Sequence, residues 1–311
     1  MAILTVTPNP AFDRIQTISH FAPGQVCRAE KLALSAGGKG VNVARAAIAL
    51  GEKATCAGLL GGHSGRMEAQ FVSAEGIPAQ WTWIDGETRV SVIVIDPQNG
   101  ETSVLNEAGP TVTEEDWARL QAEVLKLAEA AQATCISGSL PPGLHAEAMG
   151  RLVQALNRAR QQVWVDTSGA SLKAAVQARP LAIKVNNFEA AALLGWREIK
   201  DVSDALHAAR TIQNSGVSKV ALTLGKAGAV LCSDAGAWHA KPPAIDIVCP
   251  VGSGDAFLAG LMTATGDQRP DPEALRCAVA AGSANALSIG GGKFTQEAFE
   301  QIFMSTKLTA Y

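Results

Sequence analysis

The stretch VCPVGSGDAFLAGLMTA (residues 248–264) sets small residues and glycines directly ahead of an apolar helical run, with Asp255 in its first turn. Backbone N–H groups at such a turn form an anion hole, and the helix N-terminus adds positive potential. A carboxylate beside that hole can accept a hydroxyl proton while the backbone stabilises charge on a transferring phosphoryl group. Spacing alone leaves open a plainer role, in which Asp255 only caps the helix. The motif is not a dinucleotide fingerprint, because Phe257 occupies the place of the third glycine.

A second glycine cluster, SAGGKGVNVARA (residues 35–46), also opens a helix and offers Lys39 beside backbone donors, a setting suited to a phosphate or several hydroxyls. A Walker A loop needs Ser or Thr directly after the lysine, and Gly40 stands there. TPNPAFD (7–13) places Asp13 at the exit of the first strand, and KVNNFEA (184–190) places Lys184 at another strand end. Asn186 and Glu189, three apart, can point one way in a helical turn and organise magnesium through waters, or form an N-cap with a solvated glutamate. SGSLPPG (137–143) and TLGKAGA (223–229) are further polar glycine turns after strands. Each is weak singly; the six together, nearly all at the same edge of one sheet, are hard to ascribe to accident.

The elements that must hold them follow from periodicity. After Pro110, acidic-started amphipathic helices alternate with short apolar strands: TEEDWARLQAEVLKLAEAA with Thr113 as N-cap, then ATCIS, a helix, VWVDTS, a helix, LAIKVN and onward to KVALTL, a hairpin through AVLCSDAGAWHA, and three terminal helices. Such alternation predicts a mostly parallel sheet with helices on both faces, and open sheets of this kind bind ligands beyond the carboxyl ends of their strands. The regions around RIQTI, CRAEKLAL and the RVSVIVID–ETSVL hairpin break the pattern. They predict a small antiparallel sheet (residues 12–35 and 87–107) projecting from a main α/β domain (1–11, 36–86 and 108–311).

Composition bounds the function. With 47% hydrophobic and 18% charged residues the chain is neither disordered nor fibrous. A formal charge of -3 argues against a duplex nucleic-acid binder. The start MAILTVTPNP reads as a strand and not a signal peptide, and no apolar run is long enough for a membrane span. Six cysteines without CxxC pairing suit buried positions in a reducing cytoplasm, and five histidines without HxxxH spacing offer no dedicated zinc site.

GGKGVNVARA and PVGSGDAFLAG, in that order, resemble the two signatures of the phosphofructokinase-B family of ribokinase-like carbohydrate kinases, and the likeness runs over essentially the whole chain. VTPNPAFD, LNEAGP (105–110) and SGSLPPG are similar to the branch that phosphorylates sugar phosphates, that of 1-phosphofructokinase, tagatose-6-phosphate kinase and the minor 6-phosphofructokinase. The resemblance implies a three-layer α/β/α domain with a small β lid and ATP-dependent transfer to a ketohexose phosphate. Fructose 1-phosphate is the first choice, with tagatose 6-phosphate and fructose 6-phosphate as alternatives. It implies ATP and magnesium, allows a monovalent cation such as potassium, and points to a cytoplasmic homodimer paired through the lid.

Residue by residue, the resemblance makes Asp255 the catalytic base and Gly252, Ser253 and Gly254 the anion hole. Asp13, Gly38 and Asn42 match sugar-hydroxyl positions; Lys39, Arg89 and Ser139 match positions near the substrate phosphate. Lys184, Asn186 and Glu189 match the nucleotide and magnesium motif, Thr223, Gly225 and Gly228 the ATP loop, and Asn285 the adenine-lining region. Closing the lid would bring Lys39 and Arg89 around one phosphate dianion. Two positions depart from the pattern: Val185, where the family usually has proline, and Gln25, near where some members place a lysine reaching across the dimer. A sensor that kept the fold without the chemistry is the competing class, and the intact Asp255, Lys184 and Glu189 argue against it.

Overall fold

The computed structural model describes residues 1–311; ten of its strands pair into one sheet and four into another. In chain order the strands are β1 (Ala2–Thr7), β2 (Ala11–Thr17), β3 (Lys31–Ala36), β4 (Lys53–Gly61), β5 (Ala79–Ile84), β6 (Arg89–Asp96), β7 (Glu101–Asn106), β8 (Ala133–Ser137), β9 (Gln162–Asp166), β10 (Ala182–Asn186), β11 (Lys219–Thr223), β12 (Ala229–Ser233), β13 (Gly236–Lys241) and β14 (Lys307–Ala310). The helices are α1 (Lys39–Ala49), α2 (Gly62–Ala74), α3 (Glu114–Ala128), α4 (Glu147–Arg158), α5 (Gly169–Gln177), α6 (Asn187–Leu194), α7 (Val202–Gln213), α8 (Ser253–Gly266), α9 (Asp271–Asn285) and α10 (Gln296–Ser305).

The large sheet runs β14-β13-β12-β11-β10-β9-β8-β1-β4-β5. Pairing is parallel from β11 to β5 and antiparallel from β11 to β14. Central strands such as ATCIS are buried at every position, as a parallel strand covered on both faces must be. One face packs Leu4, Val6 and Ile136 against Trp117 and Leu120 of α3 and Met149 and Leu152 of α4. The other packs Ile3 and Cys135 against Val41 and Val43 of α1 and Leu258 and Leu261 of α8. The result is the expected three-layer α/β/α arrangement. Thr113 caps α3 in a reciprocal pair with Asp116, and three acidic residues in that first turn suit the helix dipole.

The small sheet has the order β3-β2-β6-β7. The ladders β3–β2 and β6–β7 are antiparallel, and β2 and β6 run parallel where the two segments meet. Both of these strands leave the edge of the large sheet together, Ala11 opposite Arg89, so they share a direction. Cys27–Glu30, read as strand from the sequence, lies ahead of β3. Along the inner face, Ile15, Ile93 and Ile95 pack on Cys249 and Val251, the segment that feeds α8. No helix is long and apolar enough to cross a membrane, and all six cysteines are free thiols.

Candidate active site

A cavity of about 480 Å³ opens between the carboxyl edge of the large sheet and the inner face of the small one. It lies at the point where the chain, after β1, builds β4 on one side and later β8 on the other, the place such folds bind ligands. Five of the six glycine and turn motifs line it: Asp13; Gly38, Lys39 and Asn42; Lys184 and Asn186; Thr223 and Gly225; Gly252, Gly254 and Asp255.

Gly252 precedes α8 at φ 83°, a left-handed conformation that glycine adopts without penalty. A Cβ there would also stand 2.3 Å from the Gly291 Cα. The turn leaves the backbone N–H groups of Gly252 and Gly254 with no protein acceptor, whereas the Ser253 N–H donates to the Pro250 carbonyl. Two N–H groups of this turn, and not three, are therefore free to meet an anion, and Ser253 faces away, its Oγ accepting from Asn285. Glycine at 254 leaves room for an ammonium: a Cβ would come within 2.7 Å of Lys184 Nζ.

Asp255 is buried, and its one side-chain hydrogen bond comes from Asn42 Nδ2 at 2.8 Å. It does not cap its own helix. Burial pushes its pKa up to about 6, with Lys39 pulling it back and Asp166 raising it further. Asp13, on β2, rises to about 7, again chiefly through burial, against the pull of Arg45 and Arg89. Carboxylates poised in this range can exchange protons near neutrality.

Near Asp255 lies a further carboxylate with no motif of its own in the sequence. Asp166, fully buried at the end of β9, accepts from Lys39 Nζ at 3.0 Å and from Lys184 Nζ at 3.2 Å. Burial would raise it, but Lys184 and Lys39 outweigh burial and hold it below the usual carboxylate range. Lys39 is raised in turn: the carboxylates Asp166, Asp255 and Glu189 overcome the desolvation of its ammonium. One aspartate thus fixes two cations supplied by separate motifs, and both line the cavity.

From the small sheet, Arg89 reaches the cavity while its guanidinium donates to the Asn9 carbonyl at 3.1 and 3.2 Å. Beside it, Asp13, Ser91 and Asn106 stand opposite one another on β2, β6 and β7 and all line the cavity. Ser91 and Asn106 were not singled out from sequence; Asn106 lies in LNEAGP, and the strand register is what brings it to Asp13. Phe188, 78% exposed at the start of α6, lines the cavity too.

Several sequence expectations fall elsewhere. Asn285 is wholly buried, donating to Val251 and accepting from Gly292 and Lys293, so it braces the loop beneath Gly252 and presents no face to a base. Gly228 lies outside the cavity at φ 90°, its absent side chain making room for the Ala240 carbonyl. Ser139 is exposed in the loop after β8 and does not line the cavity. Glu189 also lies off the lining and closes a capping box with Asn186, each accepting the other's backbone N–H at 2.9 Å.

No three His, Cys, Asp or Glu side chains are arranged to hold a metal ion. The donor set instead fits a magnesium held through water and phosphate oxygens, with Asn186 on the cavity wall and Glu189 behind it. Lys39, Lys184 and the two free N–H groups fit a polyphosphate.

Fold and site together are those of a phosphotransferase, with a helix-opening glycine turn facing the polar row of the small sheet. Residues 9–298 match the model of the pfkB family of carbohydrate kinases, and the chain belongs to that family. It is 32% identical over 260 residues to the 1-phosphofructokinase of Escherichia coli K12 (84% of this chain, 83% of that one). To the 1-phosphofructokinase of Rhodobacter capsulatus it is 36% identical over 265 residues (85% and 84%). Phosphofructokinase-2 of Escherichia coli, solved in a tetrameric inhibited form and in complex with potassium, superposes with a TM-score of 0.89 at 28% identity, covering 97% of this chain and 98% of that one.

Proposed function

We propose that this kinase transfers the γ-phosphoryl group of ATP to a ketohexose phosphate, with fructose 1-phosphate as acceptor through its 6-hydroxyl. One observation carries the reading: a single cavity joins Asp255 and two free backbone donors to the Asp13–Ser91–Asn106 row, with Lys39, Lys184 and Arg89 also in its lining. The polar row orients a sugar, the cations hold phosphates at both ends, and Asp255 lies where a hydroxyl proton must go. The names of the relatives support fructose 1-phosphate over the 6-phosphates.

In this mechanism Asp13 accepts a sugar hydroxyl and Lys39 with Arg89 holds the phosphate already on the sugar. Asp255, ionised, takes the proton of the reacting hydroxyl as the hydroxyl oxygen bonds to the γ-phosphorus and the bond from that phosphorus to the β-phosphate oxygen breaks, releasing ADP. The Gly252 and Gly254 N–H groups donate to the oxygens of the transferring group, and Lys184, held by Asp166, balances charge toward the leaving side. Magnesium, when bound with ATP, neutralises phosphate charge; Asn186 and Glu189 are the residues that would orient its water shell. Residues 12–35 and 87–107 act as a lid on the rest of the chain. Closure then encloses the reacting groups and excludes water.

The lid's outer face, with Leu34, Arg14, Val92 and Leu105 in one row and Leu32 and Leu105 more than half exposed, supports a homodimer through the lid. Free thiols throughout support a cytoplasmic setting. A coupled assay with fructose 1-phosphate, fructose 6-phosphate, tagatose 6-phosphate, ribose and adenosine, with and without potassium, tests the substrate. The highest kcat/KM is expected on fructose 1-phosphate, and a preference for ribose or adenosine overturns the reading. Light scattering at micromolar concentration tests the dimer, which a fully active monomer would rule out.

A further inference from the structure

Behind the cavity wall, one turn along α1 from Asn42, lies Arg45. It is 9% exposed and does not line the cavity. Its guanidinium donates to Asn42 Oδ1 at 3.0 Å, to the Ala36 carbonyl at 2.9 Å and to the Gly291 carbonyl, and it pairs with Glu75 at the end of α2. Glu75, which also faces Lys293 Nζ at 3.7 Å, supplies the nearest countercharge; the three neutral oxygens of Asn42, Ala36 and Gly291 serve no charge balance.

The chemistry of the chain of bonds has one direction. A guanidinium has only donors, so the oxygen of the Asn42 carboxamide must face Arg45. Its nitrogen then faces the other way, and there it meets Asp255 Oδ2 at 2.8 Å. The amide has no room to escape: a Cβ on Gly291 would lie 2.4 Å from its carbon, so the carboxamide is stacked on that glycine's backbone. A donor is thereby held against the carboxylate, favouring its ionised form. Gly291, which Arg45 also binds, backs Gly252 of the anion hole.

We propose that Arg45 is a positioning residue for the base: through Asn42 it fixes which end of an amide faces Asp255, and through Ala36 and Gly291 it ties the substrate glycine loop to the anion hole. The proposal rests on the reading of Asp255 as the base. Without Arg45 the amide is free to turn its oxygen toward Asp255, where two acceptors meet unless the carboxyl takes up a proton. Other charges face this chain. Lys39, Lys184, Asp166 and Asp13 surround Asp255, and Asp13, Glu68 and Glu75 surround Arg45. Removing Arg45 also removes a positive charge that acts on Asp13, so the test must separate orientation from charge.

The experiment is the pH profile of kcat at saturating fructose 1-phosphate and ATP, with thermal melts run alongside, for Arg45→Met, Asn42→Leu, Glu75→Gln and Asp255→Asn. Arg45→Met should shift the acid limb upward by about one pH unit, losing activity near neutrality and recovering it at higher pH, which a merely structural loss would not do. Asn42→Leu keeps the arginine's charge but removes the relay, and it should give the same shift. Glu75→Gln, which slackens only the outer anchor, should leave the limb in place. A shift in Arg45→Met without one in Asn42→Leu would assign the effect to charge and overturn the proposal, as would no shift in either. If Arg45→Met does not fold, Asn42→Leu decides alone. Near-parent turnover in Asp255→Asn would instead remove the base reading itself, a separate failure seen in the same assay.

Discussion

The two walls of the cavity are made differently. On the large-sheet side, Asp255 through Ala264 of α8 are all buried, and the helix packs into a cluster of 31 core residues on one sheet face, backed by a cluster of 36 on the other. On the small-sheet side, the apolar cluster beneath the substrate row has four buried members, one of them Cys249 from the opposite wall. A protein interior packed to crystal density holds its groups to a fraction of an ångström, whereas a thin cluster gives local opening a low cost. The groups proposed for proton and phosphoryl transfer stand on the rigid wall; of those proposed to hold the sugar phosphate, Asp13 and Arg89 stand on the thinly packed, more readily moved wall and Lys39 on the rigid one. On the proposed reading, alignment for phosphoryl transfer rests on the rigid wall, while the binding face draws on both.

The largest expected effect falls on the rigid wall. Asp255→Asn should lower turnover by ~10²–10⁴-fold, the usual contribution of a general base, with folding and ATP affinity retained. Turnover within a few-fold of the parent would break the comparison at its strongest point.

Next comes the packing difference itself. Leu152→Ala, in the larger cluster, should cost about 2–5 kcal/mol and lower Tm while leaving KM values alone if the protein remains folded. Ile93→Ala makes a similar deletion under the substrate row, where the lid can settle on Cys249. It should cost nearer the low end, about 2 kcal/mol, and raise the sugar-phosphate KM. Equal melting shifts with unchanged KM in both variants would show the two walls to be mechanically alike.

Arg89 tests recognition more narrowly. Arg89→Ala should weaken sugar-phosphate binding by about 1.5–3 kcal/mol, typical of a hydrogen bond to a charged group, and leave the KM for ATP nearly constant. The guanidinium is already tethered to the Asn9 and Glu107 carbonyls, so little ordering remains to be done when phosphate arrives. Equal activity on unphosphorylated fructose would remove both this role and the substrate class.

What could be read in advance follows the same division. The glycine motifs of the rigid wall were legible because a tight turn into an apolar helix is written in adjacent residues, as at Gly252–Asp255. The strand–helix alternation was legible because each element carries its own period. The strand β5 at the sheet's edge was not, because it is mostly exposed with a threonine as its buried residue, and the four-residue β14 was too short to show a period. The parallel β2–β6 ladder joins segments distant in sequence, so the alignment of Ser91 and Asn106 with Asp13 carries no local signal. Asp166 is a lone aspartate ending an apolar strand, which turn chemistry would also explain; only the fold brings it to Lys39 and Lys184. Asn285 shows the opposite error: a polar residue in the right region that the packing turned inward.

The smallest expected effect comes from the carboxylate on the movable wall and is read as stability. Asp13 is raised from 3.8 to about 7 in the folded protein, mainly by burial. Between those values the native state holds a proton that the unfolded chain has lost, so this group makes stability fall as pH rises. Other carboxylates act in the opposite sense, Glu87 being lowered to about 2 by the Ser64 hydroxyl and neighbouring backbone donors, so the total profile will not isolate Asp13. The difference between parent and Asp13→Asn does. The rise to about 7 caps its change at roughly 4 kcal/mol, and water entering a cavity-lining site should reduce that to about 1 kcal/mol. Denaturant titrations from about pH 5 to about pH 8 should therefore show the asparagine variant gaining on the parent as pH rises. A constant difference would mean that Asp13 ionises as it would in water, and that the movable wall is already open to solvent in the resting enzyme.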